Sequence, residues 1–135
     1  MRLARLVLIG FIVLIVTLGL GFAWGASGRS AAEKALDEAR EQADISEARG
    51  RILEARVSLY NVNFGDAQRQ FEDAKAPLTR ARERYLKDGK RDAAEGMAAA
   101  LAHVQEAQRL AGKLDPSANN QASQALDAIK AATSR

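Results

Sequence analysis

His103 and Glu106 stand three positions apart, so they share a helix face as a metal-ligating pair would, and His103 is the only histidine in the chain. Di-iron carboxylate bundles use the reverse order, Glu-x-x-His, twice, with two further glutamates. The pair therefore predicts no metal centre, and His103 reads as a solvated or partner-facing side chain. The chain has no cysteine, which removes disulfides, thiolate ligands and cysteine nucleophiles together. No Ser-His-Asp set assembles, and no glycine-rich loop precedes a helix as a phosphate cradle requires. The sequence predicts no catalytic residue, no cofactor and no bound metal, hence not an enzyme.

Charge narrows the partners. Of 20 Lys and Arg only Arg2 and Arg5 fall in the first 25 residues, leaving 18 basic against 17 acidic in the remainder. A net of +1 spread over that length is not the basic face that a nucleic-acid binder needs. The aromatics beyond residue 25, Tyr60, Phe64, Phe71 and Tyr85, all fall on apolar seams rather than forming stacking platforms.

The elements that must position any site begin with Leu6 to Trp24, 19 residues without a charge. As a helix this stretch measures about 28 Å, close to the roughly 30 Å hydrocarbon thickness of a bilayer. It is expected to be a single transmembrane helix at 6–24, after a cytoplasmic N-terminus at 1–5, with Arg2, Arg5 and Trp24 as membrane anchors. The competing reading is a cleavable secretory signal cut ahead of Ala26, with Ala23 and Gly25 as the small residues, but the apolar core exceeds the usual length. Either places the following domain outside the inner membrane, in the periplasm of a bacterium. Gly10, Thr17, Gly21 and Gly25 share one face of the span, and Gly21 with Gly25 has the GxxxG spacing that lets two helices approach closely in lipid. Residues 25–29, containing "GASG", are expected to act as a joint.

From 30 to 135 every apolar pattern is helical, so the fold class is all-α: a membrane helix followed by an antiparallel bundle of about four helices, paired as two α-hairpins. The first seam runs Ala32, Leu36, Ala39, Ala43, Ser46, Gly50, Leu53, Val57 and Tyr60, joined from Ile45 by a second stripe of Ile45, Ala48, Ile52, Ala55 and Leu59. The second is a packing ladder of alternating large and small residues, Phe64, Ala67, Phe71, Ala74, Leu78, Ala81 and Tyr85, with Asn63 as its N-cap and Pro77 off the seam. The third is Ala93, Met97, Ala100, Val104, Ala107, Ala111 and Leu114. The fourth, opened by Asp115 as cap and Pro116 at the first helical position, is Ala118, Ala122, Ala125, Ile129 and Ala132. Alanine dominates these seams, and each buried alanine stabilises far less than a leucine.

"NFGDAQRQFEDA", residues 63–74, resembles the second half of a tetratricopeptide repeat: Asn63 and Phe64 match its turn, Ala67 its small residue, Phe71 and Ala74 its inward positions. "LDPSANN", residues 114–120, is similar to the junction that opens the next repeat. Glu54, Ser58 and Thr79 depart from the pattern. The resemblance implies a TPR-like helical scaffold that docks proteins.

Charges are expected to pair along helix surfaces, Glu47 with Arg51 and Glu83 with Lys87. A basic turn at Arg84, Lys87, Lys90 and Arg91 is expected to point back toward the bilayer and its anionic headgroups. The function these features predict is a non-catalytic, single-pass adaptor or accessory subunit that docks onto a larger membrane complex. Its partners are other integral membrane proteins and the lipid bilayer, with no nucleic acid. One alternative is a structural protein that associates with itself through the same seams. Another is a periplasmic sensor or ligand-binding module, which needs a polar-lined cavity that an alanine-filled core leaves little room for.

Overall fold

A computed structural model describes the backbone of residues 2–134 and the side chains of residues 30–134. It contains four helices: α1 (Arg2–Tyr60), α2 (Phe64–Lys87), α3 (Arg91–Gly112) and α4 (Ala118–Thr133). Two compact units divide the chain, Met1–Ala39 and Arg40–Arg135. In the first, the cytoplasmic terminus, the span at 6–24, the joint at 25–29, the face of Gly10, Thr17, Gly21 and Gly25, and the anchors Arg2, Arg5 and Trp24 all lie outside the described side chains. Among the described residues no helix is long and apolar enough to cross a membrane.

The second unit is a four-helix bundle. Short turns force neighbouring helices to run antiparallel. Ser58 of α1 donates a hydrogen bond to Gln70 of α2 at 2.9 Å, Gln108 of α3 to Glu72 of α2 at 2.7 Å, and Arg56 of α1 to Asn119 of α4 at 2.9 Å. α2 packs on α3 and α3 on α4, so the sequence of neighbours closes into a ring around one core.

Of the 22 buried apolar residues described, 13 are alanines. Small side chains bring backbones together, and Gly96 marks the tightest approach: a Cβ there would lie 2.6 Å from the Cβ of Ala132 on α4. The bulk is supplied by Phe71, Ile52, Leu78, Met97, Ile129 and Val104, all fully buried. The α2 ladder faces this core, with Ala67, Phe71, Ala74, Leu78 and Tyr85 buried and Phe64 partly so.

Several local expectations need correction. Pro77, placed off the seam by its spacing, is fully buried, and α2 continues through it. On α1 the buried stripe is Ile45, Ala48, Ile52, Ala55 and Leu59, whereas the first seam is exposed, with Leu53, Val57 and Tyr60 open to solvent. Both stripes keep helical spacing, but the one with two isoleucines and a leucine removes more apolar surface from water. α4 starts later than the Asp-Pro signal implies. Its N-cap is Ser117, and Asp115 accepts a hydrogen bond from the Ser117 N–H at 2.9 Å within the preceding turn. Arg51 pairs with Glu54 at 3.2 Å rather than with Glu47.

The C-terminal ends of α1, α2 and α3 close in the same way, with a 6→1 and a 5→2 hydrogen bond around one left-handed residue. The pairs are Asn63 N–H to Ser58 C=O and Val62 N–H to Leu59 C=O, Lys90 to Tyr85 and Gly89 to Leu86, and Asp115 to Leu110 and Leu114 to Ala111. Gly89 (φ 73°) suits its position, while Val62 (φ 58°) and Leu114 (φ 57°) do not. A side chain with Cβ pays roughly 1–2 kcal/mol in that region. Val62→Gly is therefore expected to raise stability by about 1 kcal/mol after the extra chain entropy of glycine is counted, read as a higher urea midpoint at unchanged slope. Leu114, the last member of the third seam by spacing, is exposed because this turn carries it away from the core.

Candidate functional site

Three acids on α1, Glu41, Asp44 and Glu47, recur every three residues and so face one neighbour. That neighbour is α2 with its following turn. Asp44 is buried, and its two oxygens accept from Arg80 Nε at 2.8 Å and Arg84 Nε at 3.1 Å. Arg80 also reaches Glu47 at 3.0 Å. The hydrogen bond to Asp44 is the main cause that raises the Arg80 pKa above its ordinary value.

Glu41 lies 3.5 Å from Lys90 Nζ, which sits 5.3 Å from the centroid of the Tyr85 ring. Burial first, then the Glu41 charge and its hydrogen bond, push the Tyr85 phenol up to about 12. Folding thus favours the protonated phenol. That contribution is whole below the ordinary tyrosine value near 10 and is lost as pH rises toward 12.

Beside this cluster opens a pocket of about 610 Å³ at the end of the bundle that holds the α2–α3 turn. It is lined by Glu41, Tyr85, Gly89, Lys90, Arg91, Asp92 and Ala93. Ala132 and Thr133 of α4 complete the lining, and the Thr133 hydroxyl donates to the Ile129 carbonyl at 3.0 Å. Neither Arg91 nor Asp92 has an ion-pair partner among the described residues. The alanine-filled core does not exclude a polar cavity, because this one lies at the end of the bundle rather than between its helices.

The basic turn is distributed as follows. Arg84 is committed to Asp44, Lys90 to Glu41 and, at 3.9 Å, to Asp88; Arg91 lines the pocket, and Lys87 is exposed. It does not present a bare basic patch. His103 and Glu106 are not brought together: Nδ1 of His103 is 2.9 Å from Gln121 Oε1 on α4, and Glu106 binds Arg109 at 2.7 Å. His103 is half-buried as an α3–α4 link rather than solvated. Among the described residues no group of His, Asp and Glu is placed to hold a metal ion.

Sequence reasoning did not reach Glu41, Asp92 or Thr133, and it took Tyr85 for a packing residue alone. The one signal available was the three-residue repeat of acids at 41, 44 and 47, matched in reverse chain order by Lys90, Arg84 and Arg80, as antiparallel helices require. α1 offers a second surface, its exposed seam of Ala43, Ser46, Leu53, Val57 and Tyr60.

No curated protein and no solved structure matches the chain. The profile of one family, described as the Tar ligand binding domain homologue, matches residues 2–134. That match takes in all four helices and every residue of the pocket, and on it the chain belongs to the TarH family, the homologues of the Tar ligand binding domain.

Proposed function

We propose that this chain is a non-catalytic sensor domain that binds a small ligand outside the cytoplasm while tethered to the inner membrane by residues 6–24. The observation that carries this reading is the family match, which spans nearly the whole chain and is to a ligand binding domain. It favours the sensor alternative over the adaptor that the seams alone predicted. The pocket beside Glu41 and Lys90 is the site the reading assigns, since charged and aromatic groups converge there on a volume in the usual range for small-molecule sites. The test is a thermal melt of the full chain in mild detergent against a panel of small polar metabolites. A ligand at about 100 times its Kd stabilises by about 2.7 kcal/mol, so a specific hit is expected to raise the melting point by several degrees. A panel that raises it nowhere counts against the reading.

A second reading, self-association, is favoured by the exposed α1 seam. Its steps of three and four through 43, 46, 50, 53, 57 and 60 follow the a/d spacing of a coiled coil. A second copy aligned on the same seam would cover Leu53, Val57 and Tyr60, which otherwise stay open to water. The full chain is then expected to run as a dimer in mild detergent, and Leu53→Glu with Val57→Glu to convert it to a monomer of unchanged helix content. Wild-type protein that is monomeric at all concentrations overturns this reading.

A further inference from the structure

We infer that the bundle is hinged at the level of Gly50 and Pro77, and that residues 41–49 of α1 and 78–87 of α2, with the α2–α3 turn, tilt there as one lever on a fixed α3 and α4.

Pro77 lies inside α2. It has no N–H to give the Asp73 carbonyl, and its ring crowds that carbonyl, which bends a helix. Two residues on, the Thr79 hydroxyl donates to the Lys75 carbonyl at 2.9 Å, a bond back to the preceding turn that bends a helix further. The Pro77 ring is fully buried. The core therefore anchors the point of bending, and the helix tilts about it on either side.

α1 has its own weak point. Gly50 stands in its interior, where glycine favours a helix less than any residue but proline. No close approach requires it, because a Cβ at Gly50 would meet nothing within 4 Å. Links between the helices set its height. Ser58 is bonded to Gln70 and Asp44 to Arg84, and counting inward from either pair brings Gly50 opposite Leu78, beside Pro77. Beyond that height α1 and α2 are tied side by side, Asp44 with Arg80 and Arg84, Glu47 with Arg80, and Glu41 with Lys90. Neither end tilts without the other. α3 and α4 have no matching weak point. The bond from Gln108 to Glu72 puts His103 level with Pro77, and there His103 Nδ1 lies 2.9 Å from Gln121 Oε1 of α4. The stretches 98–104 and 118–126 on either side of that link contain neither glycine nor proline.

The test is amide hydrogen exchange of the full chain in mild detergent at rising urea, read residue by residue by NMR. The amides at 51–54 and 78–81, whose helix bonds span Gly50 and Pro77, are expected to exchange at least about tenfold faster than those at 98–104 of α3. Their opening should hardly respond to urea, because a tilt exposes little surface. Gly50→Ala, whose methyl enters open space, is expected to slow both sets by the same factor of about five. Pro77→Ala, which restores an N–H for the Asp73 carbonyl, should slow both at least about tenfold. Should that variant fail to fold without the buried ring, Gly50→Ala decides alone. Protection at 51–54 and 78–81 equal to that at 98–104 overturns the inference. So does a Gly50→Ala variant that slows α1 and leaves amides 78–81 unchanged, since two helices that bend separately are not a lever.

Discussion

Phe71→Ala is expected to lower the unfolding free energy of the bundle by about 4 kcal/mol, the upper range for a large side chain removed from a core. Phe71 is the largest fully buried side chain described, and what surrounds it decides the size of the effect. Cavity cost depends on how far neighbours can relax into the gap. Here Ala67 and Ala74 flank Phe71 on α2, and alanine has no side-chain rotamer with which to fill space. A domain of this size has about 5–15 kcal/mol of stability in all, so the substitution removes a large share of it. Phe71→Leu keeps most of the volume and is expected to cost about 1 kcal/mol. Urea titration followed by circular dichroism measures both. A loss below about 2 kcal/mol for the alanine variant means that the core closes over the gap and is softer than its packing implies.

The same alanine content explains what spacing could and could not reveal. The α2 ladder was legible because large and small residues alternate along one face, and only one face of α2 is apolar. α1 was ambiguous. It carries two stripes at helical spacing, and periodicity alone cannot say which meets the bundle; the side-chain bulk of Ile45, Ile52 and Leu59 decides it. Leu114 continued the α3 period in sequence but not in space, since the backbone enters the left-handed region there and the helix has already ended. Pro77 was misplaced for a related reason. Its position one residue before Leu78 put it off the three-four steps of the ladder, but the buried face of α2 is wide enough to take in both Pro77 and Leu78.

The pocket was hidden more deeply. Its groups come from positions 41, 85, 89 to 93 and 132 to 133, drawn from all four helices and the α2–α3 turn. No local spacing links them. They meet because the two outer turns of an up-and-down bundle bring the α2–α3 connection level with the end of α4 and with Glu41 of α1. The charges were visible as a basic turn, but their partners were not, because α1 was read by its apolar residues. The acids at 41, 44 and 47 face α2 and its following turn, where they pair with Arg80, Arg84 and Lys90, while Lys87 stays exposed and Arg91 lines the pocket.

The clasp at Asp44 yields the second large effect. Replacing both of its partners, Arg80→Gln with Arg84→Gln, is expected to destabilise the bundle by about 3 kcal/mol, because it leaves a buried carboxylate without a compensating charge. Asp44 is 7% exposed, so water cannot take over from the two guanidinium groups. Each single substitution is expected to cost less than half of that, since the remaining arginine still donates to one oxygen. The diagnostic is the triple variant that adds Asp44→Asn. Removing the buried charge removes the reason for the penalty, so most of the loss is expected to return, a coupling that a double-mutant cycle reads directly. Should the triple variant be as unstable as the double, the aliphatic stems of Arg80 and Arg84 would be what α1 packs against, and the hydrogen bonds at 2.8 and 3.1 Å would be incidental to stability.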